Sequence, residues 1–212
     1  PYIPLEEKLE MTRQCLVLIE RYGFGLSILT KSARILPDLD LLKAIHEKTK
    51  CVVQMTLTTY DEDLCRKLEP HVSTTLERFH ALEVMRDNGI PTVVWLCPIL
   101  PFINDTEENL RGLLDYCIQA KGRGILCFGF GVTLRQGDRE YFYAQLDRLF
   151  PGMKQKYMCT FGNAYECSSP NHNRLMDIFS EICARQGILW KPGDVFAYLQ
   201  AFEAKSRQPA LF

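Results

Sequence analysis

Four short, continuously apolar segments alternate with stretches of helical periodicity along this chain, and no other feature narrows its possible folds as much. The apolar segments fall at 26–30, 51–58, 92–99 and 125–130, and each is followed by a helical pattern. Strands that are apolar on both faces need cover on both, and strands separated by helices pair in parallel through right-handed crossovers. A β/α barrel and an open doubly wound sheet both satisfy this, and the barrel is the preferred reading. The chain enters through a helix at 5–22. There Leu5, Leu9, Thr12, Leu16 and Ile19 recur at helical spacing behind Pro4, and Gly23 and Gly25 stop the pattern. Further helices are expected at 37–48 and 106–121, a helical turn at 61–68, and a helix at 73–88 capped by Ser73 and ended by Gly89.

The pattern changes past residue 136. A helix at 138–150, an irregular polar-aromatic stretch at 157–173, a helix at 175–186 and a closing segment at 192–205 follow. The expected organisation is therefore a partial β/α barrel at 1–136 and a mainly helical C-terminal extension at 137–212. A chain of 212 residues with 47% hydrophobic and 24% charged residues can bury one large core. Its net charge of -1 sets up no general positive field for nucleic acid. Most of the nine cysteines sit inside apolar runs, as Cys15, Cys51, Cys97, Cys117 and Cys127 do, which suits free thiols in a reducing cytoplasm. No apolar run approaches the roughly 20 residues that span a bilayer, and no signal peptide opens the chain. The opening Pro1-Tyr2-Ile3-Pro4 enters a helix directly and reads as a cut.

In parallel β/α folds the chemistry gathers where strands end, because the loops converge there and the next helices point their positive N-termini inward. Lys31, just past the first strand, suits a carboxylate or phosphate, or a Schiff base if desolvated. Thr56 and Thr58 share one strand face and offer hydroxyls to a polar ligand. Glu77 and Arg78 read as a surface ion pair at the start of a helix. Cys97 ends a strand and could serve as a catalytic thiol, although Trp95, Leu96 and Ile99 around it favour a buried structural cysteine. No C-x-x-C or H-x-x-x-H spacing marks a metal site, and the glycine patterns of nucleotide folds and serine hydrolases are absent.

Four stretches carry a resemblance. They are Pro1-Tyr2-Ile3-Pro4-Leu5-Glu6; Leu29-Thr30-Lys31-Ser32 with Asp38-Leu39-Asp40-Leu41-Leu42; Thr56-Leu57-Thr58-Thr59 with Leu68-Glu69-Pro70; and the run from Pro98-Ile99-Leu100-Pro101 to Phe102-Ile103-Asn104-Asp105. In order and spacing they resemble the radical-SAM proteins related to spore photoproduct lyase, and residues 139–150 and 156–172 resemble the tail of one bacterial subgroup. The resemblance implies a partial six-unit β/α barrel with a [4Fe-4S] cluster on a C-x-x-x-C-x-x-C loop and S-adenosylmethionine on its open iron. Reductive cleavage would give a 5′-deoxyadenosyl radical. In spore photoproduct lyase itself the substrate is a thymine dimer in DNA. Carried over, Lys31 and Thr56 would contact the methionine end of S-adenosylmethionine, Ser32 and Arg78 would neighbour it, and the backbone near Ile99 and Phe130 would flank the adenine.

The chain departs from that pattern in one large respect, because no cysteine spacing supplies three thiolates. The cluster loop and first strands are therefore expected before Pro1. The chain alone is expected to hold no cluster, to bind S-adenosylmethionine weakly and to expose an apolar sheet edge that invites dimerisation. Two other functions compete with this one. The tail Gln208-Pro209-Ala210-Leu211-Phe212 is similar to peptides that dock on bacterial sliding clamps, with Gln208, Leu211 and Phe212 as anchors. A lysine-dependent aldolase-type barrel would use Lys31 as its Schiff base.

Overall fold

The structure, a computed structural model, describes residues 2–202. A helical turn α1 (Glu6–Leu9) and helix α2 (Met11–Tyr22) lead to strand β1 (Leu26–Thr30), a 3-10 turn over Ala33–Asp38 and helix α3 (Leu39–Lys48). Strand β2 (Cys51–Thr56), helices α4 (Glu62–Leu68) and α5 (Thr75–Asp87), strand β3 (Thr92–Trp95), helix α6 (Glu107–Gln119) and strand β4 (Gly124–Leu126) complete the repeating part. Strand β5 (Gly131–Thr133), helices α7 (Asp138–Leu149) and α8 (Met153–Phe161), strand β6 (Glu166–Ser168), and helices α9 (His172–Gln186) and α10 (Pro192–Gln200) follow.

The four strands β1 to β4 pair in parallel in strict chain order. An open doubly wound sheet reverses direction at a switch point and carries helices on both faces. Here the repeating helices share one face. Ile28, Val53, Met55, Val94 and Ile125 point into a single core with Leu42, Ile45, Leu82, Met85, Leu113 and Leu114 from α3, α5 and α6. Sequential order with one-sided helices is the arc of a partial barrel. The α9 residues Leu175, Phe179 and Cys183 join that same core.

The opposite, concave face carries the alternate residues. Val52, Val93 and Leu126 meet Val195 and Leu199 of α10, which covers part of this face. Nearer the strand C-termini, Trp95 and Phe128 line the arc beside Phe196, with ring centroids 5.8 Å apart for Trp95 and Phe128. Phe128 is 58% exposed, so this half of the concave face stays open. A third, smaller core gathers Leu134, Leu146, Tyr157 and Cys167 under α7 and α8.

Local chemistry explains most boundaries and corrects several sequence expectations. The first helix is split rather than continuous, because Glu10 adopts φ 51° between α1 and α2. Helix α5 is capped by Thr74, not Ser73. The Thr74 hydroxyl accepts from the Glu77 N–H, and the Glu77 carboxylate accepts from the Thr74 N–H at 2.7 Å. Ser73 instead accepts from the Ala33 N–H at 2.9 Å and ties the loop after β1 to the start of α5. The last apolar segment leaves the sheet at Leu126. Residues 131–133 then pair antiparallel with 166–168, inside the stretch expected to be irregular. Among the described residues no helix is long and apolar enough to cross a membrane.

Candidate functional site

Beyond the C-terminal ends of β1 and β2 a chain of polar groups runs from the core outward. Arg78, in the first turn of α5, donates through Nε to the Ser73 carbonyl at 2.7 Å and through Nη1 to the Thr56 carbonyl at 3.0 Å. Its Nη2 donates to Glu69 Oε2 at 2.8 Å. Glu69, directly after α4, also accepts from the Thr58 hydroxyl at 3.3 Å, and its Oε1 pairs with the Lys31 ammonium. Side-chain exposure rises along the chain, 0% at Arg78, 15% at Glu69 and 35% at Lys31. Arg78 is therefore the anchor and Lys31 the outward-facing group. A lysine has three donors, so Lys31 keeps capacity for a ligand after pairing with Glu69. Burial by itself raises the Glu69 pKa, but the charges and hydrogen bonds of Lys31 and Arg78 outweigh it and hold the carboxyl below its ordinary 4.5.

Arg78 thus differs from the expected surface ion pair with Glu77. Adjacent residues on a helix do not face each other, and Glu77 is engaged in the α5 cap. Glu69 escaped sequence reasoning because it follows a short helix with no periodic signal of its own. Its only trace in the sequence is its place in the Leu68-Glu69-Pro70 stretch.

Lys31 borders two cavities. One, of about 300 Å3, is also lined by Thr30, Ser32 and Thr56. The other, of about 280 Å3, lies between the strand ends and α7, with Thr58 and Asn104 in its lining. The Ser32 hydroxyl accepts from the Arg34 N–H at 3.2 Å as a cap of the 3-10 turn. Asn104 holds the loop after β2, donating to the Thr58 carbonyl at 2.8 Å and the Thr59 hydroxyl at 3.1 Å. Asn109 supports it, donating to the Asn104 carbonyl at 2.8 Å.

Cys97, Phe128 and His172 line a third cavity of about 500 Å3. Burial pushes the Cys97 thiol up, with the Lys31 charge pulling the other way, so the thiol stays protonated at neutral pH. Ile99 and Phe130 are core residues. Both backbone polar groups of Phe130 are engaged by the C-terminal part of the chain. Its N–H donates to His172 Nδ1 at 3.3 Å, and its carbonyl accepts from the Ser169 N–H at 2.8 Å. Ser169 also donates its hydroxyl to buried Asp105. Burial raises the Asp105 pKa, and the Ser169 hydrogen bond only partly reverses this. The tail residues Gln208, Leu211 and Phe212 lie outside the described residues.

The cysteines do not fit an iron–sulfur cluster. Among the described residues no three His, Cys, Asp or Glu side chains converge on one point. Burial pushes the Cys127 thiol up to about 11 and the Cys51 and Cys183 thiols up to about 12, far from the thiolate a cluster needs. The Lys31 and Glu69 pair, by contrast, offers both signs of charge beside a cavity.

No family model matches the chain. It is 28% identical over 157 residues to the uncharacterized protein Rv2578c of Mycobacterium tuberculosis, covering 74% of this chain and 46% of that protein. To the uncharacterized protein MJ0683 of Methanocaldococcus jannaschii it is 33% identical over 106 residues, covering 50% of this chain and 39% of that one. The chain therefore spans less than half the length of these relatives. Among solved structures, Streptococcus suis SuiB bound to S-adenosylmethionine aligns at a TM-score of 0.42 and 14% identity over 64% of this chain and 31% of that one. SuiB bound to the precursor peptide SuiA aligns at 0.41 and 14% over 64% of this chain and 32% of that one. Likeness at that level carries no argument about function.

Proposed function

We propose that this chain forms the S-adenosylmethionine-facing part of a radical-SAM enzyme related to spore photoproduct lyase, with Lys31 receiving the ligand's carboxylate. The observation that carries the reading is the Arg78, Glu69 and Lys31 chain, which fixes a cation at the mouth of a sequential parallel arc. The methionine end of S-adenosylmethionine presents a carboxylate and an ammonium. Lys31 suits the first and Glu69 the second, and Ser32 and Thr56 wall the adjoining cavity of about 300 Å3. When bound, the cofactor supplies a sulfonium whose carbon–sulfur bond can be cleaved. The residues of this chain bind and orient its amino-acid end, and no step is assigned to a cluster on them. Arg78, fully buried, acts through Glu69 rather than on the ligand.

DNA, the substrate class implied by the resemblance, meets no general positive field on a chain of net charge -1. The test is calorimetric titration with S-adenosylmethionine. The wild-type chain is expected to bind, and Lys31→Ala to weaken binding by roughly tenfold or more, the worth of one hydrogen bond to a charged group. Equal binding by both forms, or none by either, would overturn the assignment. In a longer protein containing these residues, the same substitution should depress formation of 5′-deoxyadenosine under anaerobic, reducing conditions.

A further inference from the structure

The cavity of about 280 Å3 between the strand ends and α7 has no part in that scheme, although Lys31 borders both it and the cavity assigned to S-adenosylmethionine. It lies near the lower end of ligand-site sizes. Its walls are apolar, with Leu100, Phe142, Leu149 and Phe150 all only half-buried, so their remaining surface is available to a ligand. The polar groups at its floor are already satisfied. Thr58 donates to Glu69, and Asn104 spends its amide on the Thr58 carbonyl and the Thr59 hydroxyl.

The rim has a different character. Lys67 places its ammonium 4.1 Å from the Phe150 ring centroid, and Arg148 donates to the Gln145 side chain at 2.7 Å. Neither is ion-paired with a carboxylate among the described residues. Lys31 and Glu69 cancel within the lining, so Lys67 and Arg148 leave the cavity positive in a chain whose total is -1. A half-enclosed apolar space with an uncompensated cationic rim is complementary to a molecule that is apolar at one end and anionic at the other.

We propose that this cavity binds a small amphiphilic anion, with its apolar body between Leu100, Phe142 and Leu149 and its charged head at Lys67 and Arg148. The cation–π contact with Phe150 holds the Lys67 ammonium beside a ring that also lines the cavity before any ligand arrives. That this anion is the substrate rests on the functional reading above, because Lys31 connects the two cavities; the binding itself does not.

The probes are phenylbutyrate, its uncharged amide, butyrate and dithymidine monophosphate, titrated into the full chain by calorimetry. Phenylbutyrate is expected to bind, more weakly as salt is raised. The amide and butyrate should each bind about tenfold more weakly or worse, since one lacks the head and the other the body. Lys67→Glu with Arg148→Glu should lower phenylbutyrate affinity by about tenfold or more and reverse the salt dependence, since two attractive charges become repulsive. Both positions are exposed, and circular dichroism checks that the double variant is folded. Equal binding of acid and amide, an unaffected double variant, or binding of dithymidine alone would overturn the proposal. S-adenosylmethionine titrations separate the two ideas. If phenylbutyrate binds and S-adenosylmethionine does not, the functional reading falls and this one stands; the reverse pattern sinks this one alone.

Discussion

Removing the guanidinium of Arg78 would leave the Glu69 carboxylate with only Lys31 and Thr58 as partners and free the carbonyls of Ser73 and Thr56. Arg78→Met is therefore expected to cost about 2–4 kcal/mol, the scale of two buried carbonyls left without a donor beside a weakened ion pair. It would be read as a lower urea midpoint at unchanged slope. The folded pKa of Glu69 lies below its ordinary 4.5, so its contribution is fully present above about that pH and drains away as pH falls through the folded value. The stability gap between wild type and Glu69→Gln should accordingly be widest near neutrality and close in acid. Asp105 carries the opposite sign. Its folded pKa is raised above 3.8, so ionisation costs stability as pH climbs from 3.8 through the folded value. Urea titrations of Asp105→Asn across that window should show the variant gaining on the wild type. That Lys31 and Thr56 stand at strand ends was legible in the sequence, because apolar runs mark where each strand stops. The partner of Arg78 was not, since Glu69 lies nine positions away across a turn and only folding brings them together.

Helix α5 depends on its reciprocal cap, and Thr74→Ala should cost about 1 kcal/mol of unfolding free energy in the same urea assay. Ser73→Ala would act differently, by freeing the Ala33 N–H in the loop beside Lys31. Strands β5 and β6 meet at a close approach that only glycine allows. A Cβ at Gly131 would lie 2.6 Å from the Cys167 carbonyl oxygen and 3.0 Å from the Ser168 Cα, both backbone atoms. Gly131→Ala is expected to part this pair, seen as faster amide hydrogen exchange at 131–134 with β2 unchanged. The apolar runs of β1 and β2 could be read directly from their composition. The three-residue strands β5 and β6 could not, because so short a pairing shows no period and is held by its partner rather than by its own residues. The first helix failed for a related reason, since apolar spacing does not register the left-handed turn at Glu10.

Across the whole molecule, α10 covers part of the concave face and α9 fills a place in the helical layer. Deleting residues 192–212 should uncover Val52, Val93 and Leu126, raise binding of a hydrophobic dye and lower the thermal midpoint. The sheet itself is joined in the order in which it is made. Leu26 meets Cys51, Val53 meets Thr92 and Val93 meets Gly124, each strand finding its neighbour in the next unit to emerge during synthesis. Such closures are short-range and require no earlier part of the chain to wait for a distant one. The exception is the bridge from Gly124 to Leu189, together with the seating of α10. Among the described residues, pairing can thus run from β1 to β4 in order, with α10 acting as the clasp that seats on strands already joined.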